Sequence, residues 1–392
     1  MTPAARVEAA IQLLDLIIAA ARDQGPAADT IIAGWLKARR YAGSQDRRAI
    51  RALVYDAVRL CGERPESGRA AMLALADMRP DLAALFDGSP HGPAPVAAGE
   101  AAAAPGLAPA WLEAMLGHVD IAALLGRAPL DLRVNRLKTD RAAAMRALGA
   151  GQPTPFAPDG LRIDPPIAVE AHPAFRDGWI EVQDEGSQLI ALACAARAGQ
   201  TVIDLCAGAG GKTLALAADM GGPSSGRLIA CDTDRARLSR LAPRAIRAGA
   251  GGIETRLLGG GREAEALGDL AAGADIVLID APCSGVGTWR RNPEARWRLT
   301  PQRLARLADI QARLLDLGAA LVRPGGAIVY AVCSVLDAEG ADQLAGFCAR
   351  HPDFAVKRPF IAPGEDRGGG VLLSPGRDGT DGFFVARLER AC

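Results

Sequence analysis

The chain has 392 residues, 49% of them hydrophobic and 23% charged; at about 150 residues per domain this is two or three domains with real cores, which excludes a disordered or collagen-like polymer. Lys+Arg and Asp+Glu cancel at 45 each, so the average charge says nothing about a polyanionic partner and only its distribution can. Eight cysteines, at 61, 194, 206, 231, 283, 333, 348 and 392, form no C-x-x-C pair, and the four histidines do not cluster near them; no metal site is expected, and free thiols in a reducing cytoplasm are.

Residues 9–21 are apolar but interrupted by Gln12 and Asp15, and residues 1–5 are no basic leader, so neither a membrane span nor a signal peptide is expected. Apolar residues at 9, 10, 13, 14, 17 and 18 mark one face of a first helix, and similar periodicity recurs around 30–40, 48–61 and 70–86. An all-helical domain over 1–87 follows. Residues 88–109 are built from Gly, Pro, Ala and Ser, the composition of a linker. Residues 110–198 read as a mixed α+β subdomain, with helices near 110–125 and 140–148 and short strands at 131–137, 161–164 and 178–183. From 199 to 392 the strands TVIDL, RLIAC, IETRL, DIVLI and GAIVYAV alternate with helices, and FFVARL at 383–388 would close the sheet. The expected fold class is α/β, a Rossmann-like parallel sheet wound on both faces, with the mixed subdomain and the helical domain before it.

The turn after TVIDL reads Cys206, Ala207, Gly208, Ala209, Gly210, Gly211, Lys212, Thr213 and opens the helix TLALAADM. A Walker A loop would need Gly where Cys206 stands, and the dinucleotide fingerprint would need Gly at Thr213. A turn that lets a ligand approach closely, without a pyrophosphate, remains. Asp232 ends the second strand, where a carboxylate accepts both hydroxyls of a ribose. An adenosyl group lacking a diphosphate fits both features, and S-adenosylmethionine is the candidate cofactor. Lysine occurs only at 37, 138, 212 and 357, which makes Lys212 inside the turn informative.

Asp280-Ala281-Pro282-Cys283-Ser284 ends the fourth strand and Cys333-Ser334 the fifth. Ligands of open parallel sheets bind beyond the carboxyl ends of the strands at the switch in strand order, so both thiols should face the crevice of the glycine turn. The chemistry that wants a thiol beside a methyl donor is attack on carbon 6 of a pyrimidine, which makes carbon 5 nucleophilic. Cys194, Cys231 and Cys348 read instead as small core residues, and so does the Cys206 side chain, its backbone facing the ligand. Chain position alone does not say which of Cys283 and Cys333 attacks.

CAGAGGKT, CDTD, DAPCSGVGTWRRNPE, YAVCSV and the upstream VQDEGSQL, in this order and spacing, resemble the RsmB/Sun (Nop2/Sun) family of RNA cytosine carbon-5 methyltransferases. The likeness covers roughly 106–392, and the helical N-terminus looks like the NusB-like RNA-binding domain of the bacterial RsmB branch. The resemblance implies that Cys333 is the nucleophile and that Cys283 assists release of the methylated product. It implies that Asp280 and Lys212 hold the cytosine edge and the donor's amino acid end, that the backbone of 206–212 cradles the donor, and that Asp232 holds its ribose. Two positions depart from the family: Leu257-Leu258-Gly259-Gly260-Gly261 stands where an Asp near the adenine is usual, and Val332 where Thr commonly precedes the nucleophile.

Residues 37–59 carry seven basic and two acidic side chains, and so do residues 290–313, each a net +5. Both suit phosphate contact, and Trp289, just before the second, and Trp297 within it could stack on bases. The partner expected is RNA, in the first place small-subunit ribosomal RNA, with a monomeric enzyme acting in the cytoplasm. Transfer RNA is the alternative substrate, and a non-catalytic RNA-binding or ribosome-assembly factor the alternative class; such a factor need keep neither cysteine, nor Asp280, nor Lys212.

Overall fold

The computed structural model describes residues 1–165, 167–222, 225–359 and 361–392. Contacts divide them into two compact units, Met1–Arg127 with Thr288–Pro301, and Ala128–Gly287 with Gln302–Cys392.

The first unit is helical. α1 (Pro3–Arg22) starts where the Thr2 hydroxyl accepts the Ala5 N–H, with Pro3 at the position where a missing N–H costs nothing. α2 (Ala28–Ala38), α3 (Ser44–Leu60) and α4 (Gly68–Asp77) follow. The periodicity over 70–86 does not give one helix, because Pro80 cannot continue α4 and opens a separate short turn, Pro80–Ala83. Val7, Leu14, Ile17, Ile32, Ile50 and Met72 form the core. Trp297, from the segment 288–301, is built into the same core, so this unit is completed by residues far along the chain. Residues 110–127, expected in the mixed subdomain, cluster here as well.

In the second unit, nine strands among the described residues form one sheet and four another. The small sheet is antiparallel: β1 (Leu130–Val134) lies between β3 (Gly160–Ile163) and β4 (Ile180–Val182), with β2 (Gln152–Pro153) outside β3. Leu132, Val134, Leu161 and Ile180 give it a core of its own. In the large sheet β5 (Thr201–Asp204), β6 (Arg227–Asp232), β7 (Glu254–Leu257), β8 (Ala274–Asp280) and β9 (Val322–Val332) are parallel, in the order 7-6-5-8-9. β13 (Phe383–Arg390) pairs antiparallel with β9, placing Ala386 opposite Tyr330. Beyond it lie β10 (Phe354–Lys357), β11 (Glu365–Arg367) and β12 (Gly370–Leu373). Strand order reverses between β5 and β8, the place where a doubly wound sheet opens a crevice at its carboxyl edge. Val202, Ile276, Leu278, Val329 and Ala331 are buried beneath it. No helix of the described residues is long and apolar enough to cross a membrane.

Candidate active site

The turn at residues 206–211 is shaped by two glycines in the left-handed region, Gly208 at φ +55° and Gly210 at φ +87°. A Cβ at 208 would fall 2.5 Å from a guanidinium nitrogen of Arg237, and one at 210 would fall 2.1 Å from Leu241 Cδ1. Only glycine gives this path and this clearance. The chain then enters the helix Gly211–Asp219, whose first N–H groups have no intrahelical acceptor and face an anionic or polar ligand. Nothing would meet a Cβ at Gly211 within 4 Å. Arg244 braces the turn by donating to the Ala209 carbonyl (2.5 Å) and to buried Glu181 (2.9 Å).

Asp232, at the end of β6, accepts the Gly208 N–H at Oδ2 and the Asp234 N–H at Oδ1, both at 2.7 Å. The carboxylate is thus locked to the glycine turn with one lone pair left on each oxygen. Beneath the turn the Thr213 hydroxyl donates to Asp204 Oδ2 (2.6 Å), while Asp204 Oδ1 is buried without a partner. Burial pushes Asp204 up to about 7, against the opposing Thr213 bond. Cys206 is pushed well up by burial and by the carboxylates of Asp204, Asp280 and Asp232, so its thiol is inert while its backbone forms the turn.

Lys212 Nζ donates to Asp280 Oδ2 at 2.8 Å. Burial alone would lower its pKa, but the Asp280 contact and charge, with Cys333 nearby, hold it above the ordinary lysine value. Lys212 is therefore a fixed cation, its Nζ 5.6 Å from the centre of the Phe383 ring. Cys283 and Cys333 stand at the ends of β8 and β9, both partly exposed, with their sulfurs 3.2 Å apart. The hydrogen bond to Cys333, burial, and the nearby Glu339 carboxylate hold the Cys283 thiol well above its usual value.

The predicted residues Cys206, Ala207, Gly208, Ala209, Gly210, Gly211, Lys212, Asp232, Asp280, Cys283 and Cys333 all lie at the carboxyl edge around the β5/β8 switch. The donor set fits S-adenosylmethionine: a turn that only glycine can follow, free helical N–H groups, and a carboxylate at the ribose position. Among the described residues no group of three His, Cys, Asp or Glu could hold a metal ion.

The second basic stretch does not behave as its charge suggested. Trp289 and Trp297 are buried and offer no face to a base. Arg296 is fully buried and donates to the carbonyls of Pro293, Val58, Arg59 and Cys61. Arg298 donates to those of Gly25 and Pro26. In the second unit Arg313 pairs with Glu263 at 2.6 Å. Reading the sequence also missed Glu339, Gln311, Ser284 and Ser334, which bond to one another behind the two sulfurs. The serine beside each cysteine was the available signal; a glutamate six residues after Cys333 looks like any solvated turn residue.

A family model described as 16S rRNA methyltransferase RsmB/F matches residues 191–389. Over 267 residues the chain is 38% identical to the Ribosomal RNA small subunit methyltransferase B of Salmonella typhi; the match covers 67% of this chain and 60% of the relative, so the chain spans about 60% of the length of that protein. Among solved structures, PH0851 superposes over 100% of this chain and 99% of its own, with TM-score 0.77 and 24% identity. NSun6 from Pyrococcus horikoshii, solved with SFG, covers 69% of this chain and 93% of its own, with TM-score 0.61 and 19% identity. At these identities the two structures speak for the fold.

Proposed function

The chain belongs to the 16S rRNA methyltransferase RsmB/F family, and on that premise we propose that it methylates carbon 5 of a cytosine in small-subunit ribosomal RNA, with Cys333 as the nucleophile. The observation that carries the reading is the pair of partly exposed thiols, 3.2 Å apart, beside a lysine–aspartate pair and a glycine turn. S-Adenosylmethionine, the cofactor of the family, supplies an electrophilic methyl group when bound. The backbone of 206–212 would cradle it, Asp232 would accept its ribose hydroxyls, and Lys212 with Asp280 would hold its amino acid end and the edge of the cytosine.

Cys333 loses its proton to solvent and adds to carbon 6, which turns carbon 5 into a nucleophile. Cys283 assists the later departure of Cys333, once carbon 5 has taken the methyl group and given up its proton. Free thiols at both positions suit the reducing cytoplasm. The target base must leave its stack to reach the sulfur, so an unpaired stretch of RNA is the substrate. The helical unit is the RNA-binding, NusB-like domain in this reading: Lys37, Arg40, Arg47, Arg48 and Arg51 line an open cleft of about 490 Å³, a concentration of positive charge suited to a phosphate backbone.

Bisulfite sequencing of ribosomal and transfer RNA from cells with and without the gene tests the proposal. A small-subunit ribosomal cytosine that is protected only when the gene is present supports it. Protection lost from transfer RNA alone would move the substrate, and no change in either would overturn the reaction.

A further inference from the structure

The two cysteine loops are tied together behind the sulfurs by a carboxylate that the scheme above does not use. Glu339 lies in the one-turn segment Asp337–Glu339 and is fully buried. Its Oε1 accepts the Ser284 N–H at 2.8 Å and the Gln311 side-chain amide at 3.0 Å, and its Oε2 accepts the Ser284 hydroxyl. The same Gln311 nitrogen donates to the Pro282 carbonyl at 2.9 Å. Both peptide groups flanking Cys283 are therefore held by one carboxylate and one amide. The Ser284 and Ser334 hydroxyl oxygens lie 3.3 Å apart, and the Tyr330 hydroxyl, on the strand leading to Cys333, donates to the Glu339 carbonyl at 2.6 Å.

A brace needs no charge. A buried carboxylate is costly even when bonded, and a glutamine of the same shape could keep these contacts without the desolvation penalty. What the charge adds is a field on the neighbouring sulfur. A negative group in a low-dielectric site opposes ionisation of a thiol beside it, and that field, with the hydrogen bond to Cys333 and burial, keeps Cys283 protonated.

Resting on the reaction proposed above, we propose that Glu339 is a positioning residue that fixes Cys283 as a proton donor aimed at the Cys333 sulfur for the release step. In that step a water molecule takes the carbon 5 proton, and the electron pair of that C–H bond re-forms the carbon 5–carbon 6 double bond. The carbon 6–sulfur bond breaks with its pair on Cys333, which takes the proton of the Cys283 thiol. Solvent then reprotonates Cys283.

The test uses the full chain with Glu339→Gln, which keeps the shape and removes the charge, and Ser284→Ala, which removes one bond and leaves the carboxylate. Two readouts are taken. The first is the pH profile of iodoacetamide alkylation at Cys283, measured in a Cys333→Ser background. The second is the lifetime of the denaturant-resistant protein–RNA adduct formed with small-subunit ribosomal RNA and S-adenosylmethionine. Glu339→Gln is expected to move the alkylation midpoint down by about one pH unit and, at a pH between the two midpoints, where only the variant's Cys283 has lost its proton, to lengthen the adduct lifetime up to about tenfold, with donor affinity unchanged in calorimetry. Ser284→Ala is expected to lengthen the lifetime less and to leave the alkylation midpoint in place. An unchanged alkylation profile and release rate in a donor-binding Glu339→Gln chain, beside a wild type that forms and releases its adduct, overturns the role of Glu339 alone. A wild type that forms no adduct and methylates no cytosine overturns the underlying reaction instead.

Discussion

Residues 37–59 and 290–313 carry the same net charge in the sequence, and the structure puts part of each to a different use. In the first stretch Lys37, Arg40, Arg48 and Arg51 are exposed around one cleft. In the second, Arg296 turns inward and satisfies the carbonyls of Val58, Arg59 and Cys61 at the end of α3, and Arg298 does the same for Gly25 and Pro26 beyond the end of α1. Trp297 donates its indole N–H to the Cys61 carbonyl at 2.9 Å, and Glu294 accepts the N–H of Ala28 at the start of α2 at 3.0 Å. The contacts at the end of α3 and the start of α2 are helix caps supplied from more than 200 residues away, and those of Arg298 satisfy the α1–α2 connection. The last carbonyls of a helix lack intrahelical partners and carry its negative dipole end, so a guanidinium fork meets both needs. A count of charges along a chain cannot separate an arginine that seeks phosphate from one that seeks carbonyls; only the fold decides.

The contrast predicts effects of very different size. Arg296→Ala should leave several buried carbonyls without donors, and Trp297→Ala should open a cavity; each is expected to cost about 3 kcal/mol or more in urea unfolding. Unchanged stability combined with weakened RNA binding would mean that this stretch faces nucleic acid after all. Asp232 provides a buried charge in the second unit whose partner is meant to be a ligand. Asp232→Ala should weaken S-adenosylmethionine binding by about 1.5 to 3 kcal/mol in calorimetry, and an unchanged affinity in a folded variant would remove the ribose assignment. On the exposed side, Arg40→Ala with Arg48→Ala should change stability by no more than about 0.5 kcal/mol. The same pair should flatten the log-log salt dependence of RNA binding by roughly 0.7 to 0.9 per lost phosphate contact. An unaltered slope would reduce the cleft to a solvated face.

Four of the five parallel strands of the large sheet were legible as short apolar runs bounded by turn residues, while β7 (Glu-Thr-Arg-Leu) was legible only from its place in the strand–helix alternation, and the glycine turn and both cysteines fall at strand ends that the alternation already marks. Asp232 was legible for the same reason. The local pattern could not reveal that α4 stops before Pro80 and a new turn begins, nor the small strands β10 to β12, which alternate weakly between loops. It was also silent on Glu339 and Gln311, whose meaning comes from contacts 28 and 55 residues away in sequence. Residues 288–301 taught the same lesson most clearly: a motif that reads as continuous with the catalytic loop leaves the second unit after Gly287 and completes the core of the first.

The central claim is the order of the two thiols, and a denaturing gel of protein with small-subunit ribosomal RNA and S-adenosylmethionine tests it most directly. Cys333→Ala should lose both methylation and the denaturant-resistant adduct, because no bond to carbon 6 can form. Cys283→Ala should still attack and methylate, then accumulate the adduct, because the departing sulfur finds no proton at 3.2 Å. An adduct that persists in Cys333→Ala and vanishes in Cys283→Ala would contradict the account and reverse the two roles.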